Sequence, residues 1–278
     1  MMDILHEITK RTIERIETRK KALPFDRLVE MAYTGGVSDS FPFEKALRST
    51  DIAFICEIKK ASPSKGIITD DFPYRAIAKE YEAAGAAAIS VLTEPYWFKG
   101  DDRYLREIAD TASIPLLRKD FAVDSYMIYE AKVLGASAVL LICSILDQKT
   151  LAEYISITNS LGLSALVEVH DEDETKMALR AGARIIGVNN RNLKTFEVDT
   201  GNSIRLRSLA PKEIVFVSES GIRTAQDINM LRQHNINAVL IGETLMRSPN
   251  KKAALAELRA DINGHGKNAN RTTSARMI

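Results

Sequence analysis

One apolar run after another in this chain ends in residues that a core would reject. IAFICEIK ends in Glu57 and Lys59, IPLLRKD in Lys119 and Asp120, LSALVEVH in Glu168, ARIIGVNNR in Asn189 and Arg191, EIVFVSES in Glu219 and Ser220, and NAVLIGE in Gly242 and Glu243. An isolated ion is costly to bury, so these ends must converge on a solvated site in which they pair with one another. Lysines set among carboxylates are the material of general acid–base chemistry. An Asn amide both donates and accepts, and an Arg guanidinium grips a carboxylate through two parallel hydrogen bonds.

Local pattern sharpens these assignments. Glu57 and Lys59 are two apart in a strand and share a face, so each can keep the other ionised while both face a ligand. The following SPSKG turn offers the Ser62 hydroxyl and backbone amides to an anion. Lys119 closes its strand beside Asp120, and desolvation there is expected to lower its pKa toward general-acid use. Glu168 lies between Val167 and Val169, surroundings expected to raise its pKa and suit it to carry a proton. Gly221 in SESGI and Gly242 in LIGETLM would let backbone amides approach an anion. Trp97 and Phe98, in the loop EPYWFKG, suggest a wall for an aromatic ring. His170, next to Asp171, reads as a helix start. Each feature taken alone also has a plainer reading: an ion pair at a strand edge, a structural Lys/Asp or Glu/Lys pair, or helix capping without a ligand.

What positions them is a repeat. AAGAAAISVL, VLGASAVLLI, RAGARIIGVN and HNINAVLIGE each pair a helix end and a Gly or Asn turn with a buried strand, and Gly85, Gly135 and Gly182 read as helix C-caps. The pattern predicts strands near 52–59, 86–92, 115–119, 137–143, 163–169, 184–189, 214–219 and 237–242, separated by helices. Continuous Val/Ile/Leu/Ala runs of this kind imply an all-parallel sheet covered on both faces. Eight such units close into a (β/α)8 TIM barrel, an α/β fold whose catalytic residues sit at the carboxyl ends of the strands. An open doubly wound sheet is the alternative, but no GxGxxG follows a strand. Before the barrel, residues 4–34 read as two helices, with Ile4, Leu5, Ile8, Ile13 and Ile16 at helical spacing.

The 278 residues carry 38 Lys plus Arg against 37 Asp plus Glu, so no field of one sign favours nucleic acid or an anionic membrane. Cys56 and Cys143 lie in apolar runs without metal-ligand spacing, which reads as buried thiols in a reducing compartment. With no apolar stretch of about 20 residues, a soluble cytoplasmic protein is expected.

EIKKASPSKG, LTEPYWFKGD, PLLRKDF, LVEVHD, IGVNNRNL, VSESGI and LIGETLM, in this order and over about residues 4–260, resemble indole-3-glycerol phosphate synthase of tryptophan biosynthesis. The resemblance implies conversion of 1-(2-carboxyphenylamino)-1-deoxyribulose 5-phosphate to indole-3-glycerol phosphate, carbon dioxide and water, without metal or organic cofactor. It implies Lys119 as general acid and Glu168 in later proton transfers, with Glu57 and Lys59 in the same network. Arg191, Asn189 and Lys59 would hold the substrate carboxylate, and Glu219 and Ser220 the sugar hydroxyls. Ser62, Gly221, Gly242 and the amide of Glu243 would bind phosphate; Glu243 is a departure, since many relatives carry a small residue there. Phe98, Phe121 and Ile142 would form the anthranilate pocket. The family also has a two-helix extension, so a single domain is expected: residues 1–48 over the barrel mouth, 49–262 as barrel and 263–278 as a disordered tail. The expected state is a monomer, with no more than weak association with other tryptophan-pathway enzymes. Two other classes fit the same architecture: a Schiff-base aldolase, which needs Lys119 deprotonated and free of Asp120, and a non-enzymatic sugar-phosphate sensor.

Overall fold

Strands buried on both faces need neighbours on both edges and helices on one side, and a closed ring of βα units supplies both. A computed structural model describes residues 4–34, 36–37, 40–49, 51–192 and 195–260. Its barrel strands are β1 Ala53–Ile58, β2 Ala88–Leu92, β3 Leu116–Lys119, β4 Ala138–Ile142, β5 Ser164–Val169, β6 Ile185–Asn189, β7 Val215–Glu219 and β8 Ala238–Ile241. All pair in parallel with their chain neighbours, and β8 returns to β1 with Ala53 opposite Ala238. The eight expected strands are therefore present and closed.

The helices are α1 Ile4–Ala22, α2 Phe25–Thr34, α3 Pro42–Leu47, α4 Tyr74–Ala83, α5 Asp102–Ala109, α6 Tyr126–Val133, α7 Gln148–Ser160, α8 Glu172–Arg180, α9 Gly201–Arg207, α10 Ala225–Gln233, α11 Glu243–Arg247 and α12 Lys251–Arg259. Side chains of Asp101, Asp147, Asp171, Thr224 and Asn250 accept first-turn amides and start five of them. Gly85, Gly135 and Gly182 take φ of 83°, 87° and 87° after α4, α6 and α8, and in the fourth copy of the repeat Asn235 adopts the same left-handed turn at 57°. The short α11 after β8 and a hairpin pairing Ala61–Ser62 with Gly66–Ile67 add to the expected pattern.

Inside the barrel, alternate strands fill alternate layers. Ile55, Leu117, Leu166 and Val217, from β1, β3, β5 and β7, belong to the buried interior cluster. Two residues further along the same strands, and so on the same face, stand Glu57, Lys119, Glu168 and Glu219. The period of a strand thus places one lysine and three carboxylates directly above a layer of aliphatic side chains.

The N-terminal segment does more than cover the mouth. Only the first turns of α1, through Ile4, Leu5 and Ile8, line the cavity there. Lower on α1, Arg15 bonds to Asp120 at 2.8 Å and Arg19 to Glu130 at 2.7 Å, while Ile16 and Leu28 pack with Tyr126 and Met127 of α6. Phe43 and Leu47 of α3 are fully buried with Ala53, Ala138, Ile185, Val215 and Ala238, the residues at or near the amino ends of their strands. The segment runs from mouth to floor because α3 is the plug of the barrel's amino end. The tail expected to be disordered lies outside the described residues.

Candidate active site

The four residues of the charged layer meet beneath a cavity of about 390 Å³. Lys119 Nζ lies 3.1 Å from Glu168 Oε2 and 3.4 Å from Glu219 Oε2. Asn189 Nδ2 donates to Glu168 Oε1 at 3.3 Å, and Asn189 Oδ1 accepts from Ser220 Oγ at 3.0 Å and from the Arg191 amide at 3.1 Å. Lys59 is paired with Glu57, as their shared face requires. Asp120 faces the other way, toward Arg15 and the Thr93 hydroxyl, so Lys119 is not its partner.

This ring of charges corrects two sequence expectations. Burial alone would lower the Lys119 pKa, but Glu168, Glu219 and Glu57 together raise it well above the ordinary lysine value. The side chain is held as an ammonium, and the free amine a Schiff base requires is disfavoured. Burial alone would raise Glu168, yet Lys119, helped by His170 and Asn189, holds its carboxyl below the usual range. The carboxyl that does rise is Glu219: burial, with Glu168 and Glu57 alongside, outweighs Lys119 and pushes it to about 7. Its Oε1 is buried with no hydrogen-bond partner among the described residues. A buried carboxyl that shares one ammonium with a second carboxylate is the group most easily left protonated.

Two glycines make room for this layer. A β-carbon on Gly187 of β6 would run into the Glu219 carboxylate and meet Leu166 Cδ1 at 3.1 Å. One on Gly242 would run into the Glu57 carboxylate and meet Lys59 Nζ at 3.1 Å. Gly242, expected to admit backbone to an anion, also lies against the Glu57–Lys59 pair. Gly221, at φ +85°, is hemmed by Val198. Gly187 is a signal that sequence reasoning passed over: a lone glycine inside a buried strand marks a close approach.

Around this layer the cavity has two ends. One is lined by Phe98, Phe121 and Ile142, with the Phe98 and Phe121 rings 5.9 Å apart. Trp97 does not reach the cavity. The other end is lined by Ser62, Ser220, Gly221, Gly242 and Glu243, together with Arg223 and Arg247, two cations that the sequence reading did not single out. The Glu243 carboxylate is held by Arg247 at 3.1 Å and faces Lys65 at 3.8 Å, so its charge is met locally. Arg191 lines the cavity too, its Nη1 donating to Phe196 O at 3.2 Å. His170 does precede α8, as expected, but it also bridges Glu174, 3.0 Å from Nδ1, and Glu168, 3.6 Å from Nε2. Its place two residues beyond Glu168 was the available clue.

Solved structures with this fold include 3-hexulose-6-phosphate synthase from Salmonella typhimurium, at a TM-score of 0.62 and 12% identity over 74% of this chain and 96% of that one. At that identity the likeness shows the barrel alone. Sequence relatives go further. The chain is 60% identical to indole-3-glycerol phosphate synthase of Ruminiclostridium cellulolyticum, over 92% of this chain and 98% of the relative. It is 54% identical to the enzyme of the same name from Endomicrobium trichonymphae, over 92% and 99%. The family model described as indole-3-glycerol phosphate synthase matches residues 5–258, a span that takes in all eight strands and every side chain of the charged layer. The chain therefore belongs to the indole-3-glycerol phosphate synthase family.

Proposed function

We propose that this chain closes the indole ring of 1-(2-carboxyphenylamino)-1-deoxyribulose 5-phosphate with Lys119 as the acid. The aromatic carbon that bears the carboxylate bonds to the ribulose carbonyl carbon while the carbonyl oxygen takes a proton. Loss of carbon dioxide restores the aromatic ring, and loss of the new hydroxyl as water completes the indole. Both eliminations are driven by aromaticity, so the protein's task is to hold the chain in place and to move protons.

The observation that carries this reading is the Lys119 ammonium, held between Glu168 and Glu219 and opening onto the cavity. Glu168 stays ionised and keeps Lys119 protonated and aimed. Glu219, with its pKa near 7, is the carboxyl able to hold a proton and pass it on during dehydration. Arg191, with Asn189 and Lys59, receives the substrate carboxylate. Ser62, Gly221, Gly242 and the Glu243 amide receive the phosphate, flanked by Arg223 and Arg247. Phe98, Phe121 and Ile142 enclose the anthranilate ring. The reading includes a cytoplasmic monomer: all these residues come from one barrel, and Cys56 and Cys143 are free and buried.

Lys119→Met tests the central assignment, with turnover followed by indole fluorescence and affinity by titration with the product. Turnover is expected to vanish while product still binds. A variant that keeps its turnover number and loses only affinity would remove Lys119 from the proton-transfer step.

A further inference from the structure

Glu94 is fully buried and directly follows Thr93 at the end of β2, yet it does not line the cavity. Burying a carboxylate is expensive, and no lysine or arginine among the described residues is paired with it. Its partners are three successive backbone amides. Tyr96 N donates to Oε1 at 2.8 Å, and Trp97 N and Phe98 N donate to Oε2 at 2.8 and 2.9 Å. The Glu94 carbonyl then accepts from Gly100 N at 2.8 Å, which closes residues 94–100 into a ring fastened at both ends by one residue.

The rest of the loop is built to fit this ring. Lys99 takes the left-handed φ of 54°, and a β-carbon on Gly100 would run into the carbonyl of Leu92. The result is that Phe98 projects into the cavity against Phe121, while Trp97 remains half-buried behind it with its ring edge-on to Tyr96. Without an anion at the centre, three parallel N–H groups would point at one another in a buried space, and the loop would have to open.

We infer that Glu94 is a positioning residue for aromatic-ring recognition: its carboxylate organises the 94–100 loop and so sets the place of Phe98 against the anthranilate ring of the substrate. The inference rests on the proposed function for the identity of that ring. It does not depend on the proton chemistry, which lies on other strands.

Two variants of the full chain test it. Glu94→Gln keeps one acceptor but turns an NH2 toward the amides, and Glu94→Asp keeps the charge one methylene too short. Both should raise KM for the carboxyphenylamino-ribulose phosphate roughly tenfold or more, the effect of losing a charged hydrogen bond, with kcat little changed. Trp97 is the single tryptophan of the chain, so its emission reports the loop directly. In the ligand-free variants that emission should shift to longer wavelength and become more open to iodide quenching. Inorganic phosphate, which has no ring, should bind as it does to the unaltered protein. Unchanged KM and Trp97 emission in either folded variant would overturn the inference, as would a KM rise without any response from Trp97. Failure of both variants to fold would also overturn it, since the carboxylate would then serve the barrel and not the ring pocket. If the unaltered chain fails to turn over this substrate, the proposed function fails, while the Trp97 readout still decides whether Glu94 organises the loop.

Discussion

At the scale of single residues, the position of each charge along its strand was readable from sequence, but its protonation was not. Strand period alone puts Glu57, Lys119, Glu168 and Glu219 at the ends of apolar runs. Which of them holds a proton depends on how three carboxylates and an ammonium are arranged across four strands, and no local string contains that. Glu219 gives the sharpest consequence. Its ordinary pKa of 4.5 rises to about 7 in the fold, so between those values the folded chain holds a proton that the unfolded chain has released. The contribution of this group to stability is therefore fully present below about 4.5 and declines as pH rises to about 7. Glu219→Gln should remove that decline, seen as a urea midpoint that varies less with pH across this range in the variant than in the unaltered protein. The same substitution should lower kcat by about 100-fold or more, the usual worth of a general acid, and flatten the fall in rate expected above neutrality as Glu219 loses its proton. A rate and pH profile equal to those of the unaltered chain would leave Glu219 as a sugar-hydroxyl contact only.

At the scale of elements, α1 joins the roof of the cavity to the back of the catalytic strand. Burial pushes the Asp120 carboxyl up, but Arg15 and Arg118 prevail and hold it below the usual range. Asp120 also accepts from the Phe121 amide, so the ion pair sits one residue from Lys119 and beside the ring pocket. Arg15→Ala leaves that carboxylate with Arg118, 3.8 Å away, and the Thr93 hydroxyl. Breaking a buried pair in this way should cost about 3 kcal/mol, measurable by chemical denaturation. It should also raise KM, because Ile4, Leu5 and Ile8 lose their anchor over the mouth. A stability loss with KM unchanged would show that the roof is held by its own packing. The apolar spacing of α1 was legible in the sequence; its clasp on β3 was not, since residues 105 apart share no local signal.

For the whole molecule, the charged layer stands at one end of the barrel and α3 at the other. Phe43 is fully buried among strand beginnings, so Phe43→Ala should cost about 3–5 kcal/mol and shift the unfolding midpoint accordingly. A change under about 1 kcal/mol would mean that the floor closes without it. The eight strands were legible because each is a long apolar run. The plug was not, because the short amphipathic segment that ends at Arg48 carries no local signal of which end of the barrel it closes. The glycines set opposite the carboxylates extend this interdependence to how the molecule can change over generations. A β-carbon at position 187 would require the Glu219 carboxylate to shift, and one at 242 that of Glu57, so each glycine and its carboxylate are coupled. Descendants that exchange either glycine for a larger residue must move or lose the acid it faces, so drift at these sites is expected to be paired.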